Sequence, residues 1–204
     1  MKKIMFNDRY GLTKAVLEGR KTMTRRSISE DVWQRADVYR HKYYEDTLDL
    51  LPWKKALIEF SPFKVGEVVA VAQRYKDIRD IIGDIQDGKS IKSMAGWNNK
   101  MFVRADLMPY QIRITNVRVE KLQDISDEDV YKEGFEKETV NNGWGNYAYH
   151  WEALLVYYDN IGRTSEIRSP YPRDAFADLI DKVSGKWTWE RNPWVFVYGF
   201  ELVK

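Results

Sequence analysis

Four cations fall within seven residues of this chain, Arg20, Lys21, Arg25 and Arg26, in the run Gly19-Arg20-Lys21-Thr22-Met23-Thr24-Arg25-Arg26. A guanidinium presents a planar fork that pairs with phosphate or carboxylate, and a lysine supplies a compact charge. Such a cluster can therefore bind an anion or form the positive half of an internal ion-pair network. The opposite charge lies farther along. Residues 120–138 hold 3 Lys/Arg against 8 Asp/Glu, including Asp124, Asp127, Glu128, Asp129 and Glu133, whereas residues 1–60 hold 13 against 9. The two patches could be the walls of one cleft or solvated faces on opposite sides, and charge alone leaves both open. Trp97, Trp144, Trp187 and Trp189 lie in polar, Gly-bearing stretches, where an exposed indole could stack on an unpaired base. Packing beneath loops is the plainer alternative for these four, and Trp194 is assigned to the core.

The elements that must position these residues are legible from pattern. The stretch Tyr10 to Gly19 reads as a short helix with Thr13 as N-cap and Gly19 as left-handed C-terminal cap. Residues 21–26 follow as an extended segment. Asp31 to Phe60 carries Trp33, Ala36, Tyr39 or Arg40, and Tyr43 at helical spacing, and reads as a helical insertion ending near Pro52 and Pro62. Gly66 marks a turn into a buried strand ending at Ala72. Residues 77–99 suggest a helix fragment and an irregular loop. From Tyr110 the alternation of Ile112 and Ile114 changes phase before Val117 and Val119, which predicts a β-bulge at Thr115-Asn116. Ser126 caps a short helix that Asp129 can answer three residues later; this helix carries Glu133 and stops at Gly134. A second helix runs from about Arg173 to Val183, with Phe176, Leu179, Ile180 and Val183 inward, and the strand Pro193 to Leu202 closes the chain. The expected class is α+β, with a small curled sheet or barrel.

At 204 residues with 44% hydrophobic content, one decorated domain is expected. No run of 18 apolar residues occurs and the first residues turn charged early, so the expectation is a cytoplasmic chain that neither spans a membrane nor is secreted. Cysteine is absent, which excludes disulfides, thiol nucleophiles and Cys-based zinc sites. His41 and His150 lie far apart, so neither a metal nor a cofactor is expected. The net charge of +2 is too small for a surface that grips duplex phosphates indiscriminately.

The segment Leu17 to Arg26 resembles the signature of the ASCH family: a Gly, a Lys two residues later, then Thr and Arg. Phe63 to Ala72, Val117 to Gly134 and Asn192 to Val197 are similar to further stretches of that family, in family order. Together they cover roughly half the chain, leaving insertions at 31–60 and 135–172. The pattern is especially similar to longer ASCH proteins of phages and prophages. The resemblance implies a PUA-like β-barrel with flanking helices and a cleft beside the signature, used across the superfamily for RNA or modified nucleobases. The ligand expected is accordingly RNA, a nucleoside or a nucleotide, held by Arg20, Arg25, Arg26, Trp97 and Trp144. Some compact members are amidohydrolases of N4-acylated cytidine nucleosides, and their catalytic positions match Lys21, Thr24 and Glu133. A third reading is a phage-encoded module that uses its aromatic insertions against another protein.

Amide hydrolysis of that kind needs a base beside the threonine hydroxyl. Lys21 could serve if burial or neighbouring cations keep it neutral, with Glu133 orienting it or passing a proton. Too strong an ion pair with Glu133 would instead leave Lys21 as a charged anchor for the oxyanion. On a straight strand, residues three apart face opposite ways, so Lys21 and Thr24 can share a cleft only if the segment bends.

Overall fold

The computed structural model describes residues 1–44, 50–136, 153–158, 164–169 and 171–203. Most of the insertion at 135–172, with Trp144 and His150, lies outside them. In chain order the elements are β1 (Lys3–Ile4), α1 (Leu12–Leu17), β2 (Met23–Ser27), α2 (Glu30–Tyr43), α3 (Leu50–Glu59), β3 (Val68–Val71) and α4 (Tyr75–Ile82). Then come β4 (Ile85–Gln86), β5 (Lys89–Ser90), β6 (Gln111–Lys121), α5 (Asp127–Lys132), β7 (Ala153–Tyr158), β8 (Thr164–Arg168), α6 (Pro172–Ser184), α7 (Thr188–Arg191) and β9 (Trp194–Leu202).

The fold is α+β around a five-stranded mixed sheet in the order β1-β3-β6-β9-β2, with β1 parallel to β3 and every other pair antiparallel. The expected bulge is present as a register shift between Ile114 and Asn116 on β6. Among the described residues the sheet does not close into the expected barrel. β1 is two residues long, too short to carry a second ladder, so β1 and β2 remain the two edges. They are joined through a side chain instead, Arg26 Nη2 donating to the Met5 carbonyl just past β1.

The unbroken apolar run of β9 follows from its place in the sheet. Val195, Phe196, Val197 and Tyr198 are all buried, because helices and loops cover both faces. On one face Tyr198 meets Phe63 edge-on at 5.3 Å and bonds Ser61 Oγ at 2.8 Å. On the other, Phe176 of α6 and Phe135 close over Val195 and Val197 with ring centroids 6.3 Å apart. Fully burying a side chain of this size contributes about 1.5–3 kcal/mol, so these aromatics anchor both layers.

Three local expectations are corrected. Gly11, at φ 62°, caps α1, and Thr13 lies inside the helix with its hydroxyl donating to Asp8 Oδ1 at 2.6 Å. Pro52 sits in the first turn of α3, where no backbone donor is needed, so the helical insertion runs on to Glu59 and ends before Pro62. Ser126 does cap α5, accepting from the Asp129 N–H at 3.2 Å, but the Asp129 carboxylate turns to two arginines rather than back to the cap.

Candidate functional site

Lys21 lies before β2 begins, in a reversal braced from three sides. Gly19 takes φ 74° and ends α1, the Lys21 N–H donates to Ala15 O at 2.9 Å, and the Thr22 N–H donates to Lys132 O at 2.9 Å. The Thr22 carbonyl accepts from Phe200 N at 2.8 Å, which starts the β2–β9 ladder. The chain therefore bends between Lys21 and Thr24, and the two side chains line one cavity. The conflict between three-residue spacing and strand alternation is removed by a turn the spacing alone does not reveal.

Gly134 brings the partner carboxylate in. It ends α5 at φ 102°, and a Cβ there would stand 3.0 Å from Lys21 Cβ and 3.3 Å from Ala15 Cβ. Both the backbone conformation and the space exclude a side chain. Gly134→Ala should lower stability by about 1–3 kcal/mol, measured by denaturant unfolding, by forcing α5 away from α1. An unchanged midpoint would show that the close approach is not needed.

The basic and acidic segments meet and alternate in one network. Lys21 Nζ donates to Glu133 Oε2 at 2.5 Å and to the Glu133 carbonyl at 2.8 Å. Arg25 Nη1 donates to the other carboxylate oxygen, Glu133 Oε1, at 2.9 Å. Arg25 Nη2 reaches Glu120 Oε1 at 2.7 Å and Asp129 Oδ2 at 3.0 Å, and its Nε reaches Glu120 Oε1 at 3.0 Å. Arg118 completes the chain, bonding Glu120 Oε2 at 2.9 Å and Asp129 Oδ2. The side chains of Lys21 and Arg25 are 2% and 1% exposed, so water does not screen these contacts.

This setting pulls the charged states in different directions. Burial takes Lys21 below the ordinary lysine range; Glu133 opposes the shift, and Arg26 and Arg25 add to it. Arg25 is buried too, but Glu133 and Glu120 outweigh that cost and hold it charged. Burial would raise the Asp129 carboxyl, yet Arg118 and Arg25 hold it below the usual range.

The cavity has a volume of about 230 Å³ and runs along the edge of β2, with Phe6 and Arg26 on one side and Phe176 and Leu179 on the other. Among the described residues the Thr24 hydroxyl makes no hydrogen bond. Arg26 lines the cavity with its Nε buried and without a partner. The β2–β9 ladder uses the peptide groups of Thr22 and Ile28, so by antiparallel alternation those of Met23, Arg25 and Ser27 turn to the unpaired edge.

Thus Lys21, Thr24, Arg25, Arg26 and Glu133 come together. Arg20 does not line the cavity and pairs with Glu18 at 2.6 Å and Glu136 at 2.9 Å. Trp97 is half-buried against the second core cluster, around Tyr75 and Ile91, away from the cavity, and Trp144 lies outside the described residues. Trp189 packs edge-on to Phe176 at 6.2 Å and Trp187 is exposed. Sequence reasoning missed Phe6, Arg118 and Glu120. The last two carried a signal, since opposite charges two apart on a strand share a face. His41 pairs with Asp37 at 3.3 Å, and among the described residues no group of three His, Asp or Glu is placed to hold a metal ion. No described helix is long and apolar enough to cross a membrane.

No family model matches the chain, and no match was found among curated proteins or solved structures. The fold and the site by themselves define an α+β protein with an amine, a hydroxyl, two guanidinium groups and one carboxylate lining one small cavity.

Proposed function

We infer that this chain is an ASCH-type, PUA-like domain and an amidohydrolase of a single small amide, of the N4-acylated cytidine kind. The observation that carries this reading is that Lys21, Thr24 and Glu133, scattered over the sequence, line one cavity of about 230 Å³. That volume lies below the ~300–1,000 Å³ that drug-sized ligands occupy and suits one base with part of its sugar. The sheet order and the Arg26 bridge between its edges support the PUA-like assignment. A long RNA path finds less support, because Arg25 is committed to buried carboxylates and Arg20, paired with Glu18 and Glu136 at the surface, does not line the cavity. Among the described residues the helical insertion at 31–60 supplies none of the lining, so a cleft filled by those residues for a protein-docking role finds less support.

In the proposed reaction Thr24 Oγ attacks the amide carbonyl carbon as neutral Lys21 takes its proton. The oxyanion is met by an outward-turned peptide N–H of β2 and by the positive field of Arg26. The C–N bond breaks as the proton passes to the departing amine, with Glu133 holding Lys21 in line. Water then cleaves the acyl ester and frees the carboxylic acid and Thr24. A second reading is recognition of a modified nucleoside without turnover, favoured by the 2.5 Å contact to Glu133, which opposes the loss of the Lys21 proton.

The test is incubation with N4-acetylcytidine, following cytidine by chromatography, with Lys21→Ala and Thr24→Ala as controls. Release by the wild type alone is expected. Binding seen by calorimetry without release would replace hydrolysis by recognition, and neither binding nor release would overturn both.

A further inference from the structure

A second cavity of about 230 Å³ is lined by Trp33, Trp53, Lys54, Leu57 and Trp194. Trp194 and Val195 are neighbours on β9 and point to opposite faces, so this cavity opens on the other side of the sheet from the one that Val195 lines. Its walls come from α2, α3 and the start of β9.

Three features define what it can hold. The Trp33 and Trp53 rings touch at a tilt, centroids 5.7 Å apart at 58°, and both line the cavity, so a planar ring there can lie flat on the free face of one indole with its edge toward the other. Trp53 is partly buried, and its ring is held by the Arg40 guanidinium at 4.6 Å and by Trp33, so the indole that lines the pocket is fixed in place. Lys54 and Lys121 hold their ammonium groups 5.6 Å and 4.9 Å from the Trp194 ring. Lys121 also donates to Asn192 O at 3.3 Å, and Lys54 has no ion pair among the described residues. Lys54 lines the pocket and Lys121 stands by the same Trp194 ring, so the two ammonium groups disfavour a cationic ligand and favour an anion beside that ring.

We propose that the Trp33–Trp53–Trp194 pocket binds a nucleobase that carries a phosphate, the base stacking on the indoles and the phosphate pairing with Lys54 and Lys121. Base stacking on tryptophan beside a basic group is tolerant of base identity, so the pocket selects for a planar ring with an adjoining negative charge. The phosphate can belong to a free nucleotide or to a single strand.

The experiment is quenching of tryptophan fluorescence by cytidine 5′-monophosphate, by cytidine, and by a single-stranded oligodeoxycytidylate of about eight nucleotides. It is run on the wild type, Trp53→Leu and Lys54→Glu, each checked for folding by circular dichroism. The nucleotide should bind more tightly than cytidine, and each substitution should weaken nucleotide binding by about tenfold or more. An oligonucleotide bound at least about tenfold more tightly than the mononucleotide identifies a strand as the source, and equal affinity identifies a free nucleotide. No binding of either, or binding that survives in either folded variant, overturns the proposal. Hydrolysis of N4-acetylcytidine by the same variants should stay at the wild-type level, so this pocket and the hydrolytic site fail independently.

Discussion

Arg25→Met should destabilise the fold by about 3–5 kcal/mol at neutral pH, the range observed when one member of a buried charge network is removed. Arg25 is the only cation that touches all three of Glu120, Asp129 and Glu133 among the described residues, and its side chain is almost inaccessible. Methionine restores much of the volume but none of the donors. Three carboxylates from β6 and the α5 region then face one another with Lys21, Arg118 and the more distant, part-exposed Lys132 to balance them. The pH dependence has a definite sign. In the wild type the Asp129 carboxyl is held below its ordinary range, so its stabilisation is present above the unfolded pKa and is lost as pH falls through the folded one. In Arg25→Met that gain shrinks, so the deficit should be largest near neutrality and should narrow below about pH 4, where the carboxylates protonate in both proteins. Arg25→Lys keeps the charge without the fork and should fall in between. Urea unfolding across pH measures this directly, and a deficit under about 1 kcal/mol would show that the network is an ornament of the surface type.

Glu133→Gln should lower hydrolysis by about 10²–10⁴-fold, the usual share of a positioned proton-transfer group, while moving the rising limb of the pH–rate profile to lower pH. The reason lies in Lys21. Burial draws its pKa down and Glu133 alone pulls it up, so removing the carboxylate leaves desolvation, Arg26 and Arg25 unopposed. The base form then appears at lower pH, but without the group that orients it. Stability follows the same linkage. A buried lysine with a depressed folded pKa binds fewer protons than the unfolded chain between the two pKa values, so stability rises with pH through that window. The deficit of Glu133→Gln relative to wild type should therefore be full at pH values below the variant's Lys21 pKa and shrink as pH rises. A rate profile displaced upward, or not at all, would remove Lys21 from the role of base.

Much of the fold was legible because local signals agreed with the tertiary result. The phase change between Ile114 and Val117 marked the bulge, Gly19, Gly66 and Gly134 marked turns or helix ends, and Ser126 marked the start of α5. Two local readings failed because a stronger partner was elsewhere: Asp129 was drawn from its cap by Arg25 and Arg118, and Thr13 was drawn into α1 by Asp8. Trp194, assigned to the core, is partly buried and packs against the main core cluster, and it also lines the pocket with Trp33 and Trp53.

By itself the sequence determined which charged residues are available: a run of cations at 20–26, an acidic stretch at 120–138, and the glycines that let the chain turn beside each. Whether those charges meet was decided only by the tertiary structure. Pairing Arg25 with Val197, and Glu120 with Val195, sets both side chains on one face of the sheet, and the approach of Gly134 to Lys21 presses Glu133 against them. Charge patterns state what can attract, but strand register and a 3.0 Å space beside a glycine determine which attractions are made. The tryptophan pocket was hidden for the same reason. Its rings come from two helices and a strand far apart in sequence, and no local period connects them.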